Sequence, residues 1–543
     1  MGKVLVVGGR TTGLMMALEL ARRGVPTRCI DKSPGIDPHV RANLLHSRTL
    51  EILQGLGLDE QVTQGSFAEK GLAFYRDTNF IGFSPHAPVD SPFPYGMSQS
   101  QAHTEATLEA CLKRFGVEVE RSVVLSALTQ CQDDVTATLR HDDMREETDR
   151  YDWVIGCDGA HSTVRHLLGV AFPGDPDALP YILGDVLIDG DDDLDPQKAH
   201  IFFHDQGELY LFTRLPGGRH FCMATLAPDA DVDGAPTLQD LQAIVSERSG
   251  RPLRLHDPDW LGRFRISYRL AQHYRSDRVF LAGDAAHVHS PLAGQGMNTG
   301  LQDAHNLAWK LALVAHGAAS AAILDSYEAE RRQIGEGVVE DTRQITNTME
   351  QYARLSPRDR DEMMTGLFGS GDSQVEGDRH LQEVDLDYSD SALTLTSDDA
   401  PDGQPKPGTR APDAGGLVAD GKTLSLFQLP TNAQYRLFFF CGDGDAAVLD
   451  EIGAAVAAAK RHTAWLTPYV VATAAQAGRF DPRMVLLDTK GQMHLAYAAR
   501  TPCLYLIRPD GYVAYRSTRL ASVDMYFEHL KEKQIFQRSE PMV

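Results

Sequence analysis

The sequence predicts an α/β protein in which a parallel-sheet domain is interrupted by an antiparallel sheet and followed by a separate α/β domain. Three observations predict it. The chain opens on an apolar run, a glycine-rich turn and a helical pattern. Two later apolar runs each end in a pairing of Asp with Gly. Between about 180 and 270 the texture switches to alternation of apolar and polar residues, the period of a half-covered antiparallel sheet.

Val4 to Val7 has the continuous apolar character of a strand buried on both faces. Gly8-Gly9-Arg10-Thr11-Thr12-Gly13 is the turn, Leu14 to Arg23 is helical up to Gly24, and Val25 to Ile30 is the second strand, closed by Asp31. Right-handed crossover places Asp31 at the tip of the neighbouring parallel strand. In the alternating region, Ala199 to Phe203, Glu208 to Arg214 and His220 to Leu226 read as strands, with a Pro216-Gly217-Gly218 turn. Arg278 to Ala282 returns to buried-strand texture, and helical segments follow at roughly 299–316 and 323–353. The polar stretch 371–408 reads as a linker. Beyond it, Tyr435 to Cys441 and Cys503 to Ile507 read as strands and Ala446 to Ala459 as a helix. The expected division is therefore 1–180 with 270–370, an inserted sheet at 181–269, the linker, and a last domain at 409–543.

A chain of 543 residues exceeds one ordinary core, and about two to four domains are expected. With 75 acidic and 52 basic residues, the formal charge is −23. That balance argues against nucleic-acid or anionic-membrane partners. No run of apolar residues reaches the length of a spanning helix. The N-terminus enters a strand pattern at once, without a signal-peptide pattern. Seven scattered cysteines, none at C-x-x-C spacing, argue against a disulfide framework or a metal site and point to the cytoplasm.

The dinucleotide fingerprint asks for Gly at the tight turn, at the approach to pyrophosphate and at the helix–strand contact. Gly8 and Gly13 take the first and third places, and Arg10 takes the second. Its Cβ crowds the face that phosphate oxygens meet, while its guanidinium offers them a charge-assisted contact. Asp31, 18 residues after Gly13, is the expected ribose acid. The second motif is Gly156-Cys157-Asp158-Gly159, continuing to Arg165. The third is Gly283-Asp284-Ala285-Ala286-His287, running on through Pro291-Leu292-Ala293-Gly294-Gln295-Gly296-Met297-Asn298 into a helix. Gly283 lets backbone come close, Asp284 is placed to bind a ribityl hydroxyl, and the helix start aims several N–H groups at one small volume.

With these motifs in this order, the chain resembles the flavoprotein aromatic hydroxylases of the para-hydroxybenzoate hydroxylase fold. It is similar to the phenol and polyketide-tailoring branch with a C-terminal thioredoxin-like domain. Arg41-Ala42, Arg48-Thr49-Leu50-Glu51, Gln101 with Thr104-Glu105, and Arg508-Pro509-Asp510-Gly511-Tyr512 extend the resemblance. It implies that Gly8, Thr12, Gly13 and Asp31 hold the ADP half of FAD. Arg41 and Gln101 would contact the ribityl and pyrophosphate region, and Leu125 would meet adenine through its backbone. Asp158 and Asp284 would bind the phosphate–ribityl stretch, and Pro291 with Gly294, Gly296, Met297 and Asn298 would border the isoalloxazine. Arg10, Thr11, Lys32 and Gly283 complete the expected cofactor set. Arg10 departs from the family's Gly, Thr11 from a common Pro, and Ala293 from a frequent Gly.

The resemblance further implies NAD(P)H as a transient co-substrate, O2 addition at flavin C4a to give a hydroperoxide, and oxygen transfer to an aromatic, phenolic or polyketide-like ring. Baeyer–Villiger insertion or oxidative rearrangement by the same intermediate stays open, as does a scaffold without redox turnover. Phe202, Tyr210, Phe212, Phe221 and Met223 are the candidates to line the substrate pocket. No catalytic residue is assigned, and His287 and His289 receive no proton-transfer role. The last domain lacks C-x-x-C, so packing or subunit association, with a homodimer as the expected assembly, is its expected role.

Overall fold

The computed structural model describes residues 2–37, 42–76, 78–204, 208–227, 229–232, 234–355, 359, 372–400, 402–429, 434–460 and 465–536. Its first sheet has six strands, in the order Arg275–Ser276, Val279–Leu281, Trp153–Gly156, Val4–Val7, Thr27–Ile30, Val119–Glu120. Val4–Val7 lies parallel between Trp153–Gly156 and Thr27–Ile30, and Trp153–Gly156 lies parallel to Val279–Leu281. The three chemical motifs follow three neighbouring parallel strands, so all of them emerge at one sheet edge. That edge is where open α/β sheets bind ligands. The helix Thr11–Ala21 packs on the helix Gln295–Ala315, and their apolar residues share one core with the central strands.

An eight-stranded sheet forms the second layer, ordered His287–Val288, Arg254–Leu270, Gly174–Asp189, Arg219–Thr225, Leu209–Arg214, Ala199–Phe203, Gly71–Arg76, Asn79–Pro85. It is wider than the expected 181–269 insertion. The hairpin Gly71–Pro85 joins it through parallel pairing of Gly71–Arg76 with Ala199–Phe203. Alternation reads a strand's faces and not its distant neighbour, which is why the hairpin went unread. Pleating sorts the side chains. Phe202, Tyr210 and Phe212 pack with Leu241 and Val245 of the helix Leu238–Ser249. Phe221 and Met223 face the other way, into a cluster with Tyr181, Trp260 and Tyr268.

The last sheet runs Lys422–Leu424, Leu417–Ala419, Val485–Asp488, Leu466–Ala472, Tyr435–Phe440, Cys503–Ile507, Val513–Ser517. Tyr435–Phe440 is parallel to Leu466–Ala472 and antiparallel to Cys503–Ile507. Asp445 caps the helix Ala446–Ala459 by accepting from the Ala447 and Val448 N–H groups. The stretch expected to be a linker is packed instead. It carries the helix Asp372–Leu381 and buries Val384, Leu386, Tyr388 and Leu393. Its apolar residues are diluted by Asp, Ser and Gly, which hides them from a compositional average.

Among the described residues, no helix is long and apolar enough to cross a membrane, and no group of His, Cys, Asp or Glu is placed to hold a metal ion. The seven cysteines are free; all but Cys131 are buried.

Candidate active site

At the glycine-rich turn, Gly8 has φ +109°, and a Cβ there would collide with the Cys157 carbonyl. A Cβ on Gly13 would collide with the Gly8 carbonyl. The turn is therefore as tight as its sequence requires. Asp31 is buried, with Oδ2 accepting from the Gly9 N–H at 2.5 Å and Oδ1 from the Ser33 N–H at 2.6 Å. Val123 N–H donates to the Asp31 carbonyl at 2.9 Å, and Ser122 N–H to the Ser33 carbonyl at 3.1 Å. These bonds bring the stretch that leads to Leu125 beside Asp31. The Leu125 side chain is in the core, and Lys32 is exposed. Arg10 caps the helix Thr11–Ala21 with its backbone extended. Glu105 Oε1 accepts from the Thr11 hydroxyl and the Gln101 amide, both at 2.8 Å. Thr12 sits where a Cβ on Gly283 or Gly300 would strike its hydroxyl, so those glycines let the first and third motifs close on each other. Arg41 lies outside the described residues.

In the second motif, Asp158 turns onto its own helix, Thr163–Leu168, accepting from the Thr163 N–H at 2.6 Å, the Val164 N–H at 3.1 Å and the Ser162 hydroxyl. Burial raises its pKa against those bonds. Arg165 donates to the Ala285 carbonyl at 2.9 Å, joining the second motif to the third. Asp284 is exposed at that edge. Gly283 N–H donates to Asp303 at 3.0 Å, and Asp303 also pairs with His287 at 2.8 Å and Arg331 at 2.7 Å. Burial works to raise the Asp303 pKa, but Arg331 and then His287 hold it below the usual carboxylate range.

The third motif continues as a short turn, Pro291–Ala293, and then Gly294 at φ +65°, which begins the helix Gln295–Ala315. No side chain among the described residues caps that helix, and its first turn holds no acid. Its partial positive charge is left facing the loop. Asn298 pins the loop by donating to the Leu44 and Gly294 carbonyls at 2.9 and 2.8 Å and accepting from the His46 N–H at 2.9 Å. His46 faces the Ala293 carbonyl at 3.1 Å, and burial lowers its pKa to about 4. Met297 is buried, and Gly296 stands beside the His289 ring. Burial and then the neighbouring His287 push His289 down to about 3, so it is neutral here. Leu292 packs into the cluster of Phe221, Met223, Trp260 and Tyr268, bringing the loop against one face of the eight-stranded sheet. Of the five expected pocket residues, the structure brings Phe221 and Met223 to this face. It places Phe202, Tyr210 and Phe212 on the opposite, helix-covered face. Asn43 Nδ2 donates to the Thr213 hydroxyl at 2.6 Å, a second link between loop region and sheet.

Sequence reasoning missed a buried charged network at the far end of the helix Gln295–Ala315. Arg508 makes two 2.7 Å bonds to Glu330 and two to Asp510, at 2.6 and 3.0 Å. Lys310 meets Glu330 at 2.8 Å, and Trp309 Nε1 donates to Asp510 at 3.0 Å. Burial pulls Lys310 down to about 8. The signal was present in pieces, as Arg48 to Glu51 and Arg508 to Tyr512, but nothing local shows that they meet.

The geometry fits a bound dinucleotide flavin. Gly8 and Gly13 leave a cradle that a Cβ would fill, Arg10 keeps a buried Nη2 without a partner among the described residues, and an uncapped helix faces the apolar sheet. The FAD binding domain family matches residues 1–342. The chain belongs to the FAD-dependent monooxygenases. The 6-methylpretetramide 4-monooxygenase of Streptomyces rimosus is 32% identical over 540 residues, covering 95% of this chain and 91% of its own. OxyS anhydrotetracycline hydroxylase from the same organism has a solved structure with TM-score 0.75 and 26% identity over 98% of this chain and 99% of its own. A ternary complex of aklavinone-11 hydroxylase with FAD and aklavinone gives TM-score 0.75 and 25% identity over 97% and 98% of the two chains. FAD is this chain's cofactor.

Proposed function

We propose that this monooxygenase hydroxylates a planar, phenolic polyketide-like substrate held between the Pro291–Ala293 turn and the face of the eight-stranded sheet that carries Phe221 and Met223. The observation that carries the reading is Leu292, which belongs at once to the cofactor loop and to that apolar cluster. FAD supplies acceptance of hydride from NAD(P)H and activation of O2. The chain's own residues orient and shield. Gly8, Thr11, Thr12, Gly13 and Asp31 hold the ADP half, with Arg10, Lys32, Arg41, Gln101 and the Leu125 backbone around it. Asp158, Gly283 and Asp284 border the linking stretch. Pro291, Gly294, Gly296, Met297 and Asn298 border the ring, and the uncapped helix start stabilises negative charge there. His289 stays neutral and adds no positive charge beside it. The apolar cluster keeps water from the reacting centre.

The division into 1–180 with 270–370, 181–269, 371–408 and 409–543 belongs to the same proposal, with the Gly71–Pro85 hairpin added to the substrate sheet. A thioredoxin-like identity for the last unit is supported by its strand order and by Tyr435–Phe440 lying parallel to one neighbour and antiparallel to the other. Its buried, unpaired Cys441 and Cys503 favour packing over dithiol exchange. Seven free cysteines support residence in the cytoplasm. Assembly as a homodimer is tested by light scattering on the eluting protein. The deciding experiment for function is the visible spectrum of the purified protein, followed by NAD(P)H oxidation in the presence of phenolic polycyclic compounds under labelled O2. A flavin spectrum, substrate-stimulated oxidation and one labelled oxygen in a hydroxylated product are expected. A colourless protein that takes up no FAD, or label found in a lactone, overturns the reading.

A further inference from the structure

Arg10 stands where the dinucleotide turn has its second glycine, yet the backbone bears no strain for it. Its φ of −101° and ψ of −167° are extended values open to any residue. The substitution therefore changes charge rather than conformation. Arg10 Nε donates to Glu105 Oε1 at 3.2 Å and Nη1 to Asp37 Oδ2 at 2.8 Å, while Nη2 is buried without a partner among the described residues. Glu105 is fully buried. Its Oε1 serves Thr11, Gln101 and Arg10, and its Oε2 has no partner among the described residues. A buried carboxylate thus lies directly against the turn that takes a diphosphate. In a medium of low dielectric, two like charges at such range repel strongly unless a cation stands between them.

Resting on the FAD reading above, we propose that Arg10 is a diphosphate ligand held in reserve by two carboxylates. Glu105 keeps its grip on Nε and orients the guanidinium. Asp37 occupies the Nη edge until a phosphate oxygen replaces it. The unpaired Nη2 and the Nη1 released by Asp37 then form a two-pronged contact of the kind a guanidinium makes with phosphate. This chain gives up the close backbone approach that glycine allows and substitutes a charged side chain. Two consequences follow. Cofactor affinity carries an ionic-strength dependence set by residue 10, and Asp37 acts as a competitor that weakens binding.

The test is FAD titration of the deflavinated full-length protein, read by quenching of flavin fluorescence at low and high NaCl, with circular dichroism on every variant. Arg10→Gly is expected to weaken FAD about tenfold at low salt, the usual order for a lost charge-assisted contact, and to flatten the salt dependence. Arg10→Lys keeps most of the salt dependence. Asp37→Asn tightens FAD several-fold, a gain that disappears in Arg10→Gly/Asp37→Asn. Arg10→Gly binding as tightly as the parent with the same salt response overturns the proposal, as does Asp37→Asn that leaves affinity unchanged or lower. Because Asp37→Asn and Arg10→Lys retain a charged or polar group at each position, they decide the matter even if Arg10→Gly does not fold. A parent protein that takes up no FAD fails differently, since it overturns the cofactor reading itself.

Discussion

Arg48 Nη2 donates to the Asp510 carbonyl at 2.6 Å across 462 positions of sequence, and its guanidinium lies 5.1 Å from the centre of the Tyr512 ring. The same Arg48 pairs with Glu51 at 3.0 Å, and Glu51 with Arg410 at 2.6 Å. Through these contacts the last sheet is fastened to the first domain by buried charged groups. Breaking a buried ion pair from one side costs about 3–5 kcal/mol, because the abandoned partner stays buried. Asp510→Ala leaves Arg508 and the Trp309 indole N–H short of an acceptor. It is expected to lower the temperature at which bound FAD is released, followed by the rise of flavin fluorescence on heating. Release at the parent temperature would remove the fastening role from Asp510.

Glu383 gives stability a pH dependence of known sign. Burial raises its pKa to about 7, against the pull of Arg331 and the bonds from Thr299 and Gln302. In the unfolded chain it ionises near the ordinary 4.5. Between these values the unfolded state releases its proton first, so this group's contribution is present in full below about 4.5 and is lost as pH rises through about 7. The loss amounts to about 3 kcal/mol. Glu383→Gln cannot ionise, so its melting temperature relative to the parent is expected to climb from pH 5 to pH 8. A constant difference across that range would place the ionisation elsewhere.

On the proposed function, the two faces of the eight-stranded sheet separate stability from specificity. Phe202→Leu loosens the helix-covered core and is expected to cost about 1–3 kcal/mol while leaving KM for the aromatic substrate near its parent value. Phe221→Leu changes the wall against which Leu292 packs. It is expected to shift KM about tenfold, by loss of aromatic contact, and to increase the H2O2 released per NAD(P)H consumed. Steady-state kinetics with a peroxide assay reads both. The reverse pattern would put the pocket on the other face.

Gly8→Ala puts a methyl into the Cys157 carbonyl at a residue with φ +109°. The expected result is a protein purified without flavin and melting well below the parent, checked by the visible spectrum and a thermal scan. Recovery of the yellow holoenzyme would show that the turn can open.

Much of this was legible from the amino acids. Strands Ala199–Phe203 and Cys503–Ile507 and the helix Ala446–Ala459 fall where local pattern puts them, because periodicity and capping are local properties. Gly8 and Gly13 could be read because a missing Cβ leaves a mark on the sequence. The hairpin Gly71–Pro85 could not, because its place in the sheet is set by pairing with a strand more than a hundred residues away. Nor could the sorting of Phe221 from Phe202. Alternation says that the two faces differ, and only the approach of Leu292 says which one meets the Pro291–Ala293 turn. Glu383 and the Arg508 network stayed hidden for a related reason. A buried charge is recognisable only by its partner, and here each partner is on a different element.

The fastening of the last sheet has a consequence for recombination. A shuffled chimera that imports residues 409–543 from a relative without also importing Arg48, Asn306, Trp309, Lys310 and Glu330 would bring together two half-complementary buried surfaces. A crossover in this chain ahead of residue 409 therefore separates buried partners that have to be exchanged together.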